Sequence, residues 1–182
     1  RWPRWKRWAW MRWLLRPRVM GGIACAVFLC IALFQLPWSP AASAHFAAFT
    51  GAAPFDERPA GYTLSGVLLA FRRLGAQGLS DYAAYRAVDL VFPWLLCALV
   101  AAVMLRLDAA RATMWPWLAA LADTAENVLQ YAILATRDDL SPQLVQWASA
   151  ATQLKFVLYA LMLLMLLAVG ARALWRERRA AH

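Results

Sequence analysis

Histidine, cysteine and acidic residues are all scarce in this chain. Its 182 residues include two histidines, three cysteines and ten aspartates and glutamates. With only His45 and His182 available, a histidine-rich metal centre or a Ser-His-Asp constellation has little to be built from. No G-x-S-x-G, H-E-x-x-H or G-x-x-x-x-G-K-[ST] run occurs. Cys25, Cys30 and Cys97 fall inside apolar runs without C-x-x-C spacing. They read as small apolar packing residues rather than a redox pair or a metal site. His45 reads as a solvated side chain, and Asp138 and Asp139 as ordinary helix-end charges. No cofactor and no metal are expected.

Apolar residues, by contrast, are abundant: 63% of the chain, with a mean hydropathy of +0.50. A soluble domain has about 45–50%. The excess gathers in four runs, Val19–Leu36, Leu90–Leu105, Met114–Thr136 and Phe156–Leu174. A membrane-crossing helix needs about 20 mostly apolar residues. The first and fourth runs meet this directly. The second is short but extends helically through Tyr85–Asp89, and the third is long enough but carries a polar face. The expected fold is therefore all-α, a four-helix transmembrane bundle in one domain over 19–182.

The net charge is +9. In a soluble protein this would point to nucleic acid. Here the basic residues flank the apolar runs, so no nucleic-acid partner is expected. Arg1, Arg4, Lys6, Arg7, Arg12, Arg16 and Arg18 precede the first run; Arg106 and Arg111 separate the second and third; Arg172, Arg176, Arg178 and Arg179 close the chain. With four spans these groups share one side, and the positive-inside rule places both termini in the cytoplasm of a bacterial inner membrane. The segment from about 37 to 88 and the connection 137–153 then face outward. Residues 1–18 interleave Trp with Arg and Lys, as expected of a cytoplasmic segment at the lipid interface. Ala42-Ser43-Ala44 resembles a signal-peptidase site, yet the first run exceeds the usual signal core of about 7–15 residues, which favours an uncleaved span.

The outer segment is rich in Pro and Gly, including Pro54-Phe-Asp-Glu-Arg-Pro59, which argues against long helices. Leu64, Val67, Leu68, Phe71 and Leu74 follow helical spacing, with Thr63 as an N-cap and Gly75 as a stop. Ser80 is the expected cap of a second helix that leads into span two. Both would form a short extracytoplasmic cap. Pro93 predicts a kink about one turn into that span.

The third run holds the most informative pattern. Asp123, Glu126 and Asn127 stand at i, i+3 and i+4 and share one helical face, which Gln130 and Tyr131 extend. Ionisable groups at membrane depth cost a few kcal/mol or more and persist where something pairs with them or uses them. Arg72, Arg73, Arg86 and Lys155 are the available partners. Lys155 and Tyr159 open span four, where antiparallel packing would bring them near Tyr131. Two carboxylates and an amide could hold Mg²⁺, but no second acidic motif in another span completes the cage.

The Asp123-Thr-Ala-Glu126-Asn127 run resembles a D-x-x-E-N pattern in the third span of an uncharacterised family of small bacterial four-span membrane proteins. Asp89-Leu-Val-Phe-Pro93 and Gly61-Tyr62 fit the same layout, and the resemblance covers about residues 55–175. It implies a four-helix membrane protein with Asp89, Asp123, Glu126 and Asn127 as a shared polar set, and it brings no activity.

These observations lead to an integral membrane protein that binds a small ligand, lipid or cation through Asp89, Asp123, Glu126, Asn127, Gln130 and Tyr131. The alternatives are a membrane enzyme acting on a lipid-like substrate, with Glu126 as general base oriented by Asp123 or Asn127, and an accessory subunit of a membrane complex. The last would turn the Asp123 face outward. The expected partners are the bilayer, a lipid or small molecule, and a membrane protein.

Overall fold

The computed structural model describes residues 9–180. It is helical throughout, with no strand among the described residues. The helices are α1 (Ala9–Leu14), α2 (Pro17–Gln35), α3 (Ser43–Thr50), α4 (Leu64–Asp89), α5 (Phe92–Arg106), α6 (Met114–Ala135) and α7 (Pro142–Ala180). Among the described residues, three stretches are long and apolar enough to cross a membrane: Pro17–Gln35, Leu64–Arg106 and Pro142–Ala180. Residues 1–8 of the basic, Trp-rich segment 1–18 lie outside the described residues.

Helix α2 starts where Pro17 supplies a pre-set φ at the first turn. At 1.5 Å per residue the 39-residue α7 is about 58 Å long, nearly twice a hydrocarbon core of about 30 Å. It begins at Pro142, so the connection expected over 137–153 is a short turn followed by helix. Helix α6 packs along α7 and α5, and α5 along α2. The contact among α5, α6 and α7 is made by Cys97, Ala119, Ala120 and Met162. Small side chains there let the backbones approach, as is usual where lipid supplies no hydrophobic drive for association. Cys30 is also buried, whereas Cys25 is exposed, so only two of the three cysteines pack as expected.

The cap departs from expectation in two places. Thr63 does cap α4, its hydroxyl accepting from the Gly66 amide at 3.3 Å. Gly75 then bends the helix at φ 60°, ψ −169°, instead of ending it. That conformation is open essentially only to glycine. Helix continues at once, and Ser80 is an exposed residue inside α4 rather than a cap. Pro93 likewise does not kink a continuous helix. The chain breaks at Leu90 and Val91, and Pro93 sits in the first turn of α5, where its missing N–H costs nothing.

Helix α3 packs against α4, and a 3₁₀ turn, Phe55–Glu57, packs against α7. Phe46, Phe55, Tyr82 and Tyr85 form the heart of the cluster beneath them. His45 is tied in rather than solvated: its Nε2–H donates to the Pro37 carbonyl at 2.8 Å, and Nδ1 lies 3.3 Å from Asp81. Arg73 donates to the Thr50 carbonyl at 2.7 Å, so it holds the cap and not the polar face of α6.

Gly61 sets the closest approach of this cap to α7. The Tyr62 amide donates to the Ser149 hydroxyl at 2.9 Å, and Gln153 donates to the Ala60 carbonyl at 3.0 Å. Gly61 has φ 79°, and a Cβ there would collide with Ser149 Oγ and Gln153 Nε2. Gly61→Ala is therefore expected to cost about 1–3 kcal/mol through strain and lost docking. The check is the melting temperature in detergent, together with faster hydrogen exchange at the Tyr62 amide; an unchanged exchange rate there would contradict it.

Candidate functional site

Helix α6 turns its polar face inward. Asp123, Glu126, Asn127 and Gln130 are all buried, because positions 0, 3, 4 and 7 of a 3.6-residue helix fall on one stripe, which faces α4 and α7. Tyr131 belongs to the stripe's margin, about 90° from its centre. It is only half-buried and takes no part in the hydrogen bonds described below, which corrects its placement among the site residues. An outward-facing Asp123, as a partner helix would require, is not found.

Two cations enter this face from neighbouring helices. Lys155 of α7 places Nζ 3.1 Å from Glu126 Oε2 and 3.9 Å from Asp123 Oδ1. Tyr159, one turn further along, donates to Asp123 Oδ2 at 2.9 Å. Both residues thus engage α6 one to two turns away from Tyr131, where antiparallel packing alone would put them. Arg86 of α4 spreads its guanidinium over four groups. Nη1 lies 3.1 Å from Asp56 and 3.2 Å from Asp89; Nη2 lies 3.5 Å from Glu126 and donates to Asn127 Oδ1 at 2.6 Å.

The neutral groups lock the charged ones. Asn127 donates to Asp123 Oδ1 at 3.0 Å and to the Asp89 carbonyl at 3.3 Å, beside the helix break. Glu126 Oε1 accepts from Thr152 at 3.0 Å and from Gln130 at 3.2 Å. Gln130 also donates to the Tyr62 hydroxyl at 2.6 Å and accepts from the Tyr82 hydroxyl at 3.2 Å. Tyr85 donates to Asp56 at 2.7 Å, with Glu57 a second acceptor at 3.2 Å.

Four buried carboxylates, Asp56, Asp89, Asp123 and Glu126, therefore meet two buried cations, Arg86 and Lys155. Carboxylate oxygens of Asp89, Asp123 and Glu126 come within 4.8 Å of one another. Acidic groups from two helices do converge, contrary to the expectation that none would join the α6 pair.

A cavity of about 400 Å³ opens beside this network. Its lining combines the charged Asp56, Glu57, Asp89, Asp123 and Lys155 with the apolar Phe34, Phe92, Phe156 and Leu96 and the tyrosines Tyr85 and Tyr159. It reaches the surface at the exposed Gln35 and Glu57. Desolvation, and then the charge of Asp56, push the Glu57 carboxyl above its ordinary range. Glu126 has no exposed surface and is not among the groups lining the cavity. A base acting on a molecule held there would be one of the lining carboxylates, Asp56, Glu57, Asp89 or Asp123.

Asp56, Tyr62, Tyr82, Tyr85 and Thr152 are the members of the network that the sequence did not place in the site. Two had a signal: Tyr62 in the Gly61-Tyr62 pair of the resemblance, and Asp56 as half of an acid pair between two prolines. Comparison with protein-family models, curated proteins and solved structures found no match for this chain.

Proposed function

We propose that this chain is a multi-pass bacterial inner-membrane protein that binds a small ligand in the cavity between the cap and α6, with α6 as a fourth spanning helix and both termini cytoplasmic. The observation that carries this is the cavity itself. Its lining combines apolar side chains with convergent charged groups, as ligand pockets of about 300–1,000 Å³ commonly do. A network serving stability alone has no need of an opening beside it. Membrane residence is supported by the three long apolar helices and by the basic clusters at their flanks. Arg179 lies over the Trp175 ring at 3.7 Å near the end of α7, a pairing suited to a headgroup interface.

The test uses the full chain taken directly from membranes into lipid nanodiscs and examined by native mass spectrometry. The parent should carry a small-molecule adduct. Leu96→Trp, which fills the cavity, should lose it while retaining the parent's helical content. A parent without any adduct, or an adduct kept in full by Leu96→Trp, would refute the proposal.

A further inference from the structure

The charge of the site specifies the class of ligand. Four carboxylates face two cations, all of them more than nine-tenths buried, so the acids outnumber the cations by two. Full ionisation of such an excess is costly in a medium of low dielectric, and either a proton or a bound cation relieves it. Asp89 is where the excess is left open. Its carboxylate lines the cavity and accepts no hydrogen bond from any described residue; its one ion-pair partner is Arg86, which is shared with Asp56 and Glu126. Asp123 and Glu126 are different, since each of their oxygens already faces at least one donor.

That difference separates two kinds of cation. A dehydrated metal at Asp89, Asp123 and Glu126 would have to displace Tyr159, Asn127 or Lys155 from the carboxylates they already serve. An organic cation needs only the open carboxylate and an apolar lining. That lining is present: the Phe34 ring packs against Phe92 at 5.5 Å and against Tyr85 at 5.1 Å, and all three line the same cavity as Asp89. Aromatic faces beside a carboxylate attract ammonium groups through both the ring quadrupole and the ion pair.

We infer that the ligand is a small organic ammonium compound whose nitrogen pairs with Asp89 and whose apolar body lies against Phe34 and Phe92. This rests on the ligand-binding reading of the cavity and narrows it to one charge class.

The experiment is calorimetric titration of the full chain in neutral detergent with three probes that share a benzyl group: 2-phenylethylammonium, phenylacetate and benzyl alcohol. The ammonium should bind more tightly than the other two. Asp89→Asn should raise its Kd about 30-fold or more, and Phe34→Leu, which leaves every charge in place, about threefold. Neither change should weaken benzyl alcohol. Phenylacetate binding as tightly as the ammonium, or Mg²⁺ displacing it at submillimolar concentration, would overturn the inference and leave the pocket standing. Failure of all three probes would overturn both. If Asp89→Asn does not fold, the ranking of probes on the parent and the Phe34→Leu comparison still decide.

Discussion

Arg86→Gln is expected to lower the melting temperature by about 10 °C or more, or to prevent folding altogether. The guanidinium is almost wholly buried and is the only cation beside Asp56 and Asp89 within ion-pair distance among the described residues. Removing one partner of a buried ion pair strands the other charge and costs about 3–5 kcal/mol. In a chain of this size each kcal/mol shifts the midpoint by about 2–4 °C. Here one deletion strands two carboxylates, weakens the hold on Glu126 and leaves Asn127 Oδ1 without its 2.6 Å donor. Arg86→Lys should recover only part of the loss, because a point charge cannot reproduce a fork that serves Asp56 and Asp89 through Nη1 and Asn127 and Glu126 through Nη2. The measurement is a thermal melt in detergent followed by circular dichroism. A midpoint for Arg86→Gln within about 2 °C of the parent would mean that burial is not holding these charges together.

The second large effect lies across α6 and α7. Lys155→Met and Glu126→Gln should each destabilise by about 2–4 kcal/mol, and the double variant by clearly less than the sum. The cause is their separation of 3.1 Å in a fully buried setting, where each single change leaves an uncompensated charge. Arg86 at 3.5 Å from Glu126, and Asp123 at 3.9 Å from Lys155, soften the single losses without removing them. Additive losses in the double-mutant cycle would show that the pair is not coupled and that Glu126 answers mainly to Arg86.

The contrast between these variants and Asp89 separates the roles of the acids. Glu126 is enclosed by Thr152, Gln130, Lys155 and Arg86 and holds helices together. Asp89 and Asp123 reach the cavity. Spacing along α6 reveals the shared face of Asp123, Glu126, Asn127 and Gln130, since helical periodicity is a local property. The same periodicity places Tyr131 too generously, because a residue at the margin of a stripe looks like a member until the neighbouring helices define its width. Arg86 and Lys155 are recognisable as available cations, but which acid each would meet depends on helix register, which α7 fixes one to two turns from the simplest antiparallel guess. Asp56 is marked only as half of an acid pair between two prolines, and its pairing with Arg86 is a long-range closure that no local pattern encodes. The helix break at Leu90 and Val91 is marked by Pro93, though as the start of α5 and not as a bend within one helix.

The division of cations between α4 and α7 also bears on how the chain enters a membrane. Presented alone to the insertion machinery, α6 is a poor substrate, since two carboxylates and two amides interrupt its apolar surface. Arg86 is synthesised before α6, but Lys155 follows Glu126 by almost thirty residues and emerges only with the next helix. On the proposal that α6 spans the membrane, half of its counter-charge is waiting for it and the rest arrives only with α7. That reading favours insertion of α6 and α7 as one hairpin, later than α2 and α5.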